Sequence, residues 1–129
     1  MNVKSLKKIL YIEDEADIQA IAQLALEAVG GFTVETCSSG RQGIARASAY
    51  APDIILLDVM MPEMDGPATL IGLRQLPELA KVPIVFMTAK VQPQEVEHYH
   101  ALGAVDVIAK PFDPMTLADQ VRAIWSRQP

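Results

Sequence analysis

Several features are scarce in this 129-residue sequence, and each scarcity excludes a class of protein. It contains one cysteine, Cys37, so no internal disulfide can form, which fits a reducing compartment. No segment approaches the roughly 20 apolar residues that span a bilayer. The apolar run that follows the cationic start, "ILYI", is too short for a signal peptide. We therefore expect a cytoplasmic protein without a membrane partner.

Basic residues are also few. The sequence has 11 Lys and Arg against 16 Asp and Glu, which gives a net charge of −5, and the basic residues are scattered apart from Lys4, Lys7 and Lys8. This balance predicts that nucleic acid is not a partner. Half of the residues are hydrophobic, which is enough for the core of one domain over residues 1–129 and leaves no room for a second.

Five short apolar runs predict five β-strands. Four of them are β-branched or leucine-rich and hardly alternate, as strands that are covered on both faces do. The run "FTVETC" does alternate, so we expect it at an edge of the sheet. The predicted strands are 8–12, 32–37, 53–57, 83–87 and 105–109.

Helical patterns with recognisable ends lie between these runs. The first helix is predicted to end at Gly30, and the others to begin at Ser39, Asp65, Pro93 and Asp113. Their apolar spacing also predicts which residues face the core. The inward residues expected in the first helix are Ile18, Ile21, Ala22, Ala25 and Val29, and those in the fifth are Leu117, Val121, Ile124 and Trp125.

The alternation of strands and helices predicts the fold. Short connections between successive strands and helices require a parallel sheet with helices on both faces. We therefore predict an α/β fold, with a doubly wound five-stranded parallel sheet and five helices. If the strand order is 2-1-3-4-5, the first and third strands are central neighbours.

Polar residues follow the last apolar residue of four predicted strands. They are Glu13 and Asp14, Asp58, Thr88, and Lys110. The carboxyl ends of parallel strands lie at one edge of the sheet, where ligands bind, so we expect these side chains to lie together. Taken alone, Asp58 is better explained as a helix cap than as a functional residue. Together, the five residues favour a functional site.

The chemistry of these residues predicts a phosphoryl-transfer site. Three adjacent carboxylates repel one another, and a divalent cation relieves that repulsion. Oxygen ligands suit Mg²⁺, which takes one or two carboxylates and shares a phosphate. Thr88 and Lys110 offer a hydroxyl and an ammonium group to phosphoryl oxygens. Asp58 is the candidate acceptor.

Four segments, in order and at these spacings, resemble the receiver domains of two-component response regulators, the CheY-like type. They are "ILYIEDE", "LLDVMMPEMDG", "PIVFMTA" and "GAVDVIAKPF", and the resemblance covers essentially the whole chain. The strand order above is partly taken from this family. Because the chain ends at the fifth predicted helix, we expect a stand-alone receiver domain with no output domain, either a monomer or a weak dimer.

The resemblance also implies roles for the site residues. Asp58 accepts a phosphoryl group from a histidine kinase or a histidine phosphotransfer protein, and Thr88 and Lys110 contact the phosphoryl oxygens. The implied Mg²⁺ ligands are Glu13, Asp14, Asp58 and the backbone carbonyl of Met60. The signal then leaves by docking to a downstream protein. The family usually has a cis peptide after the lysine, so we expect one at Lys110-Pro111.

The sequence departs from the family pattern at two positions. Glu13 stands where aspartate is commoner, and its longer arm can reach the metal through water. Val107 stands where the family usually has Tyr or Phe, a ring that moves inward when the threonine turns toward the phosphate. This valine keeps a second interpretation open, a receiver fold that is never phosphorylated and acts as an interaction module.

Other functions fit the sequence less well. Aspartyl-phosphate phosphatases need a second acid two residues after the nucleophile, and Met60 occupies that position. A flavin or nucleotide binder needs Gly, Ser or Thr donors after the first strand, where "EDEAD" would repel a phosphate. We therefore expect a protein that catalyses its own phosphorylation and dephosphorylation and no other reaction.

Overall fold

The computed structural model describes residues 5–129, in which strands and helices alternate as predicted. The strands are β1 (Lys8–Ile12), β2 (Thr33–Cys37), β3 (Ile54–Asp58), β4 (Ile84–Thr88) and β5 (Asp106–Ala109). The α-helices are α1 (Ala16–Leu24), α2 (Gly40–Tyr50), α3 (Gly66–Arg74), α4 (Pro93–Leu102) and α5 (Leu117–Ser126). A π-helix, Ala25–Val29, continues α1, and a 3₁₀ turn, Pro77–Leu79, follows α3.

The five strands form one parallel sheet in the order β2-β1-β3-β4-β5. This confirms the predicted fold class and strand order. The alternating strand β2 lies at an edge, while β3 and β4 are central and buried throughout. Alternation along β1 sends Ile9 and Tyr11 into one core and Leu10 and Ile12 into the other.

Each core lies between the sheet and one helical layer. The first core includes residues of α1, the π-helix and α5, and the second includes residues of α2, α3 and α4. The predicted inner face of α5 is confirmed, because Leu117, Val121, Ile124 and Trp125 are all buried.

Two details of the helix predictions are wrong. In the first helix, Ile21 and Val29 are each 49% exposed, and Leu26 is buried instead. The buried stripe is centred on Ala22, Ala25 and Leu26, and the wider π-turn changes the phase of the residues after Leu24.

The second error concerns the start of α5. This helix begins at Leu117, although the sequence predicted a cap at Asp113 and a first helical residue at Pro114. The preceding residues form a turn in which Asp113 Oδ1 accepts the Met115 N–H and the Asp113 carbonyl accepts the Leu117 N–H. The aspartate therefore caps this turn and not the helix itself.

Caps at two other helices fix the loops beside the carboxyl ends of the strands. Ser39 Oγ accepts the Gln42 N–H at α2, and Asp65 Oδ1 accepts the Ala68 N–H at α3, as predicted. Among residues 5–129, no helix has the length and apolar character needed to cross a membrane.

Candidate functional site

The sheet brings the predicted site residues together at its carboxyl edge. Asp58 and Thr88 are the last residues of β3 and β4, Glu13 and Asp14 directly follow β1, and Lys110 directly follows β5. In the register, Asp58 is paired with Met87 and Thr88 with Ala109. The ends of four strands therefore meet at one place, and the predicted convergence is confirmed for all five side chains.

Lys110 is the centre of the charged network. Its Nζ lies 2.8 Å from Glu13 Oε1 and 3.1 Å from Asp58 Oδ1, so one ammonium group bridges two carboxylates. These contacts join residues that are 97 and 52 positions apart in the chain. Asp58 is 3% exposed, and both contacts lie in a largely desolvated environment where such pairs are strong.

Glu13 is completely buried and receives donors on both carboxylate oxygens. Oε1 accepts the Tyr11 hydroxyl at 3.1 Å in addition to Lys110, and Oε2 accepts the Glu15 N–H at 3.2 Å. A buried carboxylate is stable only with such partners. Among residues 5–129, no buried side-chain nitrogen or oxygen lacks a hydrogen-bond partner.

The surroundings shift the pKa values of the two acids in opposite directions. Burial and the neighbouring Glu13 charge raise the pKa of Asp58 to about 6, although Lys110 acts against them. Burial acts to raise the pKa of Glu13 too, but the hydrogen bonds from Lys110, the Glu15 N–H and Tyr11 bring it below its ordinary value. Burial acts to lower the pKa of Lys110, and its bonds to Glu13 and Asp58 bring it above the ordinary value.

The acidic residues fit a divalent cation. Glu13, Asp14 and Asp58 each offer a carboxylate oxygen, and these oxygens lie within 4.8 Å of one another. Hard oxygen donors at this spacing are the ligand type that Mg²⁺ takes. Asp14 is half-buried, so it leaves the cluster open to solvent on one side. The donor set is therefore compatible with Mg²⁺.

A cavity of about 180 Å³ adjoins Asp58. Thr88 and Lys110 line it, as do Met60 and Lys90. Thr88 Oγ1 accepts the Lys90 N–H at 3.0 Å, which orients the hydroxyl within the loop after β4. An anion in this cavity would meet the lysine and the threonine hydroxyl beside the Asp58 carboxylate.

Sequence reasoning missed three residues that contribute hydrogen bonds to the site. Tyr11 looked like one apolar residue of a buried strand, Glu15 acts through its backbone N–H, and Gln19 Nε2 donates to the carbonyls of Glu13 and Cys37. Only Tyr11 carried a usable signal. It lies two residues before an acid, and the period of a strand places both on one face.

Gly66 permits a close approach of α3 to the backbone of Asp58. A Cβ at this position would lie 2.7 Å from the Asp58 carbonyl oxygen and 2.8 Å from Val59 Cα. The Gly66 N–H donates to the Val59 carbonyl at 2.8 Å. The first turn of α3 therefore packs directly against the backbone that carries Asp58.

The peptide between Lys110 and Pro111 is cis, as predicted. Val107 is half-buried and packs against the second core. The position that usually holds an aromatic ring thus holds a small aliphatic side chain in contact with the interior.

A parallel sheet in this order, with acids, a threonine and a lysine at its carboxyl edge, defines the receiver class of signalling domain. A family model for the response regulator receiver domain matches residues 9–122. The chain belongs to this family, whose members act in two-component systems.

Individual relatives agree with this assignment. The chain is 38% identical, over 94% of its length, to the alkaline phosphatase synthesis transcriptional regulatory protein PhoP of Bacillus subtilis. Its structure is similar to that of the chemotaxis response regulator CheY4 of Vibrio cholerae, with a TM-score of 0.86 and 29% identity, over 93% of this chain and 99% of that one. The chain spans about half the length of the curated relatives it matches, 49% in the case of PhoP. The absence of an output domain therefore stays a prediction.

The prediction that nucleic acid is not a partner is wrong. The chain is 34% identical, over 93% of its length, to the DNA-binding dual master transcriptional regulator RpaA of Synechocystis, of which it covers 49%. The charge argument failed because it considered only the charges of these 129 residues. The net charge of a receiver domain does not exclude nucleic-acid binding by the proteins in which such domains occur.

Proposed function

We propose that this protein accepts a phosphoryl group on Asp58 from the phosphohistidine of a histidine kinase or a histidine phosphotransfer protein. The observation that carries the proposal is the position of Lys110 Nζ, 3.1 Å from Asp58 Oδ1, in a cavity that Thr88 also lines. A buried acceptor, a fixed cation and a hydroxyl donor are the parts that phosphoryl transfer needs.

In the proposed step, a carboxylate oxygen of Asp58 attacks the phosphorus. The P–N bond of the phosphohistidine breaks, its electron pair stays on the imidazole nitrogen, and that nitrogen takes up a proton from solvent. An acyl phosphate forms on Asp58. Lys110 and Thr88 contact the phosphoryl oxygens, and Lys110 stabilises the charge that they carry in the transition state.

The acidic cluster would hold Mg²⁺ through Asp14, Asp58 and the backbone carbonyl of Met60, with Glu13 reaching the ion through water. When bound, the ion neutralises charge on the carboxylates and on the phosphoryl oxygens. Met60 lines the cavity, in the place where a phosphatase of this type would need its second acid. Apart from transfer to and from Asp58, we therefore assign no reaction to the protein.

Phosphorylation changes the charge at this edge of the sheet by about −1.5 to −2 at neutral pH. That change is large enough to move a loop or a docking face between two states, and we propose that the signal leaves by docking to a downstream protein. Val107 has no ring to move inward, so in this proposal the transmission of the signal to the downstream protein depends on the loop after Thr88 and on the charge of the phosphate.

The same valine favours a second candidate, an interaction module that keeps the receiver fold and is never phosphorylated. The two candidates differ in one observable property. Incubation with a small-molecule acyl phosphate and Mg²⁺, followed by intact mass measurement, should add the mass of one phosphoryl group to the parent protein. Without Mg²⁺, little or no mass should be gained.

Two variants complete this experiment. Asp58→Asn should gain nothing, and Asp119→Asn should behave like the parent, because Asp119 is 80% exposed on α5 and pairs only with Arg122 among the described residues. A parent protein that gains no phosphoryl group and binds no Mg²⁺ in calorimetry would favour the interaction module. A gain in Asp58→Asn equal to that of the parent would contradict the proposed acceptor.

A further inference from the structure

Tyr11 carries a hydroxyl group although it lies in the hydrophobic core, among apolar side chains. Its side chain is completely buried on the face of β1 that packs against α1 and α5, among residues such as Ile9 and Val85. A buried phenol needs a hydrogen-bond partner, and within residues 5–129 the Tyr11 hydroxyl donates to Glu13 Oε1, at 3.1 Å. The hydroxyl therefore serves this contact, since packing alone would be satisfied by the ring.

The hydrogen bond from Tyr11 ends at the same Glu13 oxygen that Lys110 binds. Glu13 Oε1 accepts both the Tyr11 hydroxyl and Lys110 Nζ, and the same Nζ also reaches Asp58 Oδ1. The carboxylate of Glu13 is thereby held between three donors, because the Glu15 N–H occupies Oε2. Without the phenol, Oε1 keeps only Lys110 and Oε2 keeps the Glu15 N–H, so the carboxylate loses one of the three donors that fix its position relative to Lys110 and Asp58.

We propose that Tyr11 is a positioning residue of this site, whose hydroxyl fixes Glu13 and through it the acidic cluster and Lys110. The proposal rests on the function proposed above. Glu13 is one of three acids whose oxygens lie within 4.8 Å of one another, and the hydrogen bonds of such acids decide how well the set binds a cation. Tyr11 thus affects Mg²⁺ binding without touching the ion.

The test is Tyr11→Phe, which keeps the ring in the core and deletes the hydroxyl. Titration calorimetry of the unphosphorylated protein with Mg²⁺ should show an affinity about tenfold below that of the parent, as for other partners of ligand carboxylates. The rate of phosphorylation at a fixed, subsaturating Mg²⁺ concentration should fall in parallel.

A matched control exists at Tyr50. Its hydroxyl donates to the Thr33 carbonyl at 3.0 Å, next to the edge strand and outside the acidic cluster. Tyr50→Phe, like Tyr11→Phe, deletes one hydroxyl and the hydrogen bond that it donates. It should nevertheless leave the Mg²⁺ affinity unchanged. Equal losses of affinity in the two variants, or no loss in either, would overturn the proposal.

A second comparison shows whether Tyr11 acts through Glu13. In a Glu13→Gln background, Tyr11→Phe should produce little further loss of Mg²⁺ affinity, because the two changes interrupt the same contact. A full additional tenfold loss in that background would overturn the proposal. If the parent binds Mg²⁺ but gains no phosphoryl group, the proposed function fails, while calorimetry still decides the role of Tyr11.

Discussion

At the scale of single residues, Asp58 and Glu13 are buried acids that affect stability in opposite ways. The pKa of Asp58 is raised from 3.8 to about 6 by burial and by Glu13, so the folded protein binds its proton more tightly than the unfolded chain does. The stabilising contribution of this residue is present below pH 3.8 and is lost as the pH rises through about 6. Glu13 has a lowered pKa, so its contribution is present at neutral pH and is lost on acidification.

The first prediction follows from this difference. At pH 7.5 and without divalent cations, Asp58→Asn should raise the free energy of unfolding by about 1–3 kcal/mol, because a shift of one pKa unit corresponds to about 1.4 kcal/mol. The gain should shrink as the pH falls toward 4. Urea unfolding over this pH range measures it.

Glu13→Gln is the natural counterpart of that variant. It removes a buried charge whose pKa is lowered by hydrogen bonds from Lys110, the Glu15 N–H and Tyr11, so the same experiment should show a loss of stability at pH 7.5. If Asp58→Asn were destabilising at pH 7.5, or if its effect did not depend on pH, the account of the charged network would be wrong.

The sequence showed which residues form the site, but it did not show which hydrogen bonds hold them. Glu13, Asp14, Asp58, Thr88 and Lys110 could be found because each follows an apolar run. The hydroxyl of Tyr11 and the backbone N–H of Glu15 could not be assigned in the same way, because their roles depend on where the Glu13 side chain turns. Periodicity predicts the face on which a side chain lies but not its hydrogen-bond partner.

At the scale of secondary structure, the close contact between α3 and the end of β3 constrains the position of Asp58. Gly66 begins α3, and a Cβ there would meet backbone atoms of Asp58 and Val59 that cannot move without shifting Asp58. Gly72 lies in the same helix, but a Cβ there would meet the flexible end of Ile44.

The second prediction compares these two glycines. Gly66→Ala should lower the free energy of unfolding by about 1–3 kcal/mol, because it forces an overpacked contact, and should slow the phosphorylation of Asp58. Gly72→Ala should change stability by less than about 1 kcal/mol, since better helix propensity offsets the adjustment of Ile44. Denaturant unfolding and the rate of phosphoryl gain measure both effects. Equal costs for the two substitutions would contradict the packing argument.

Helix positions show where sequence reasoning fails at this scale. Caps with a side-chain acceptor, Ser39 and Asp65, were found at the predicted places. The π-helix at Ala25–Val29 was not foreseen, and it is the reason why the 3.6-residue period ceased to predict burial near Val29. Asp113 looked like a helix cap but caps the turn before α5. The sequence could not distinguish the two, because a turn and a helix begin with the same local hydrogen bonds.

At the scale of the whole molecule, the site joins parts of the chain that are distant in sequence. Side chains at the ends of β1, β3, β4 and β5 meet in one cluster, so a ligand held there ties together most of the sheet. A ligand that binds the folded state alone stabilises the entire fold by mass action.

The third prediction is that Mg²⁺ raises the thermal midpoint of this protein. At a concentration ten times the dissociation constant, the gain is about 1.4 kcal/mol, or about 5 °C for a domain of this size. Asp14→Asn should abolish the shift, because it removes a half-buried member of the acidic cluster. Asp17→Asn, an exposed acid in the first turn of α1, should retain it. Calorimetric scans with and without Mg²⁺ measure the shift. A shift in Asp14→Asn equal to that of the parent would place the ion elsewhere.

The claim that most needs a direct test is that Asp58 is the acceptor. After phosphorylation with an acyl phosphate and Mg²⁺, borohydride reduces an aspartyl phosphate to an alcohol, and peptide mass mapping locates the reduced residue. We predict reduction at Asp58 alone, and none when the phosphodonor is omitted. Reduction at Asp14 or at any other acid, or phosphorylated protein without a reducible aspartate, would contradict the account.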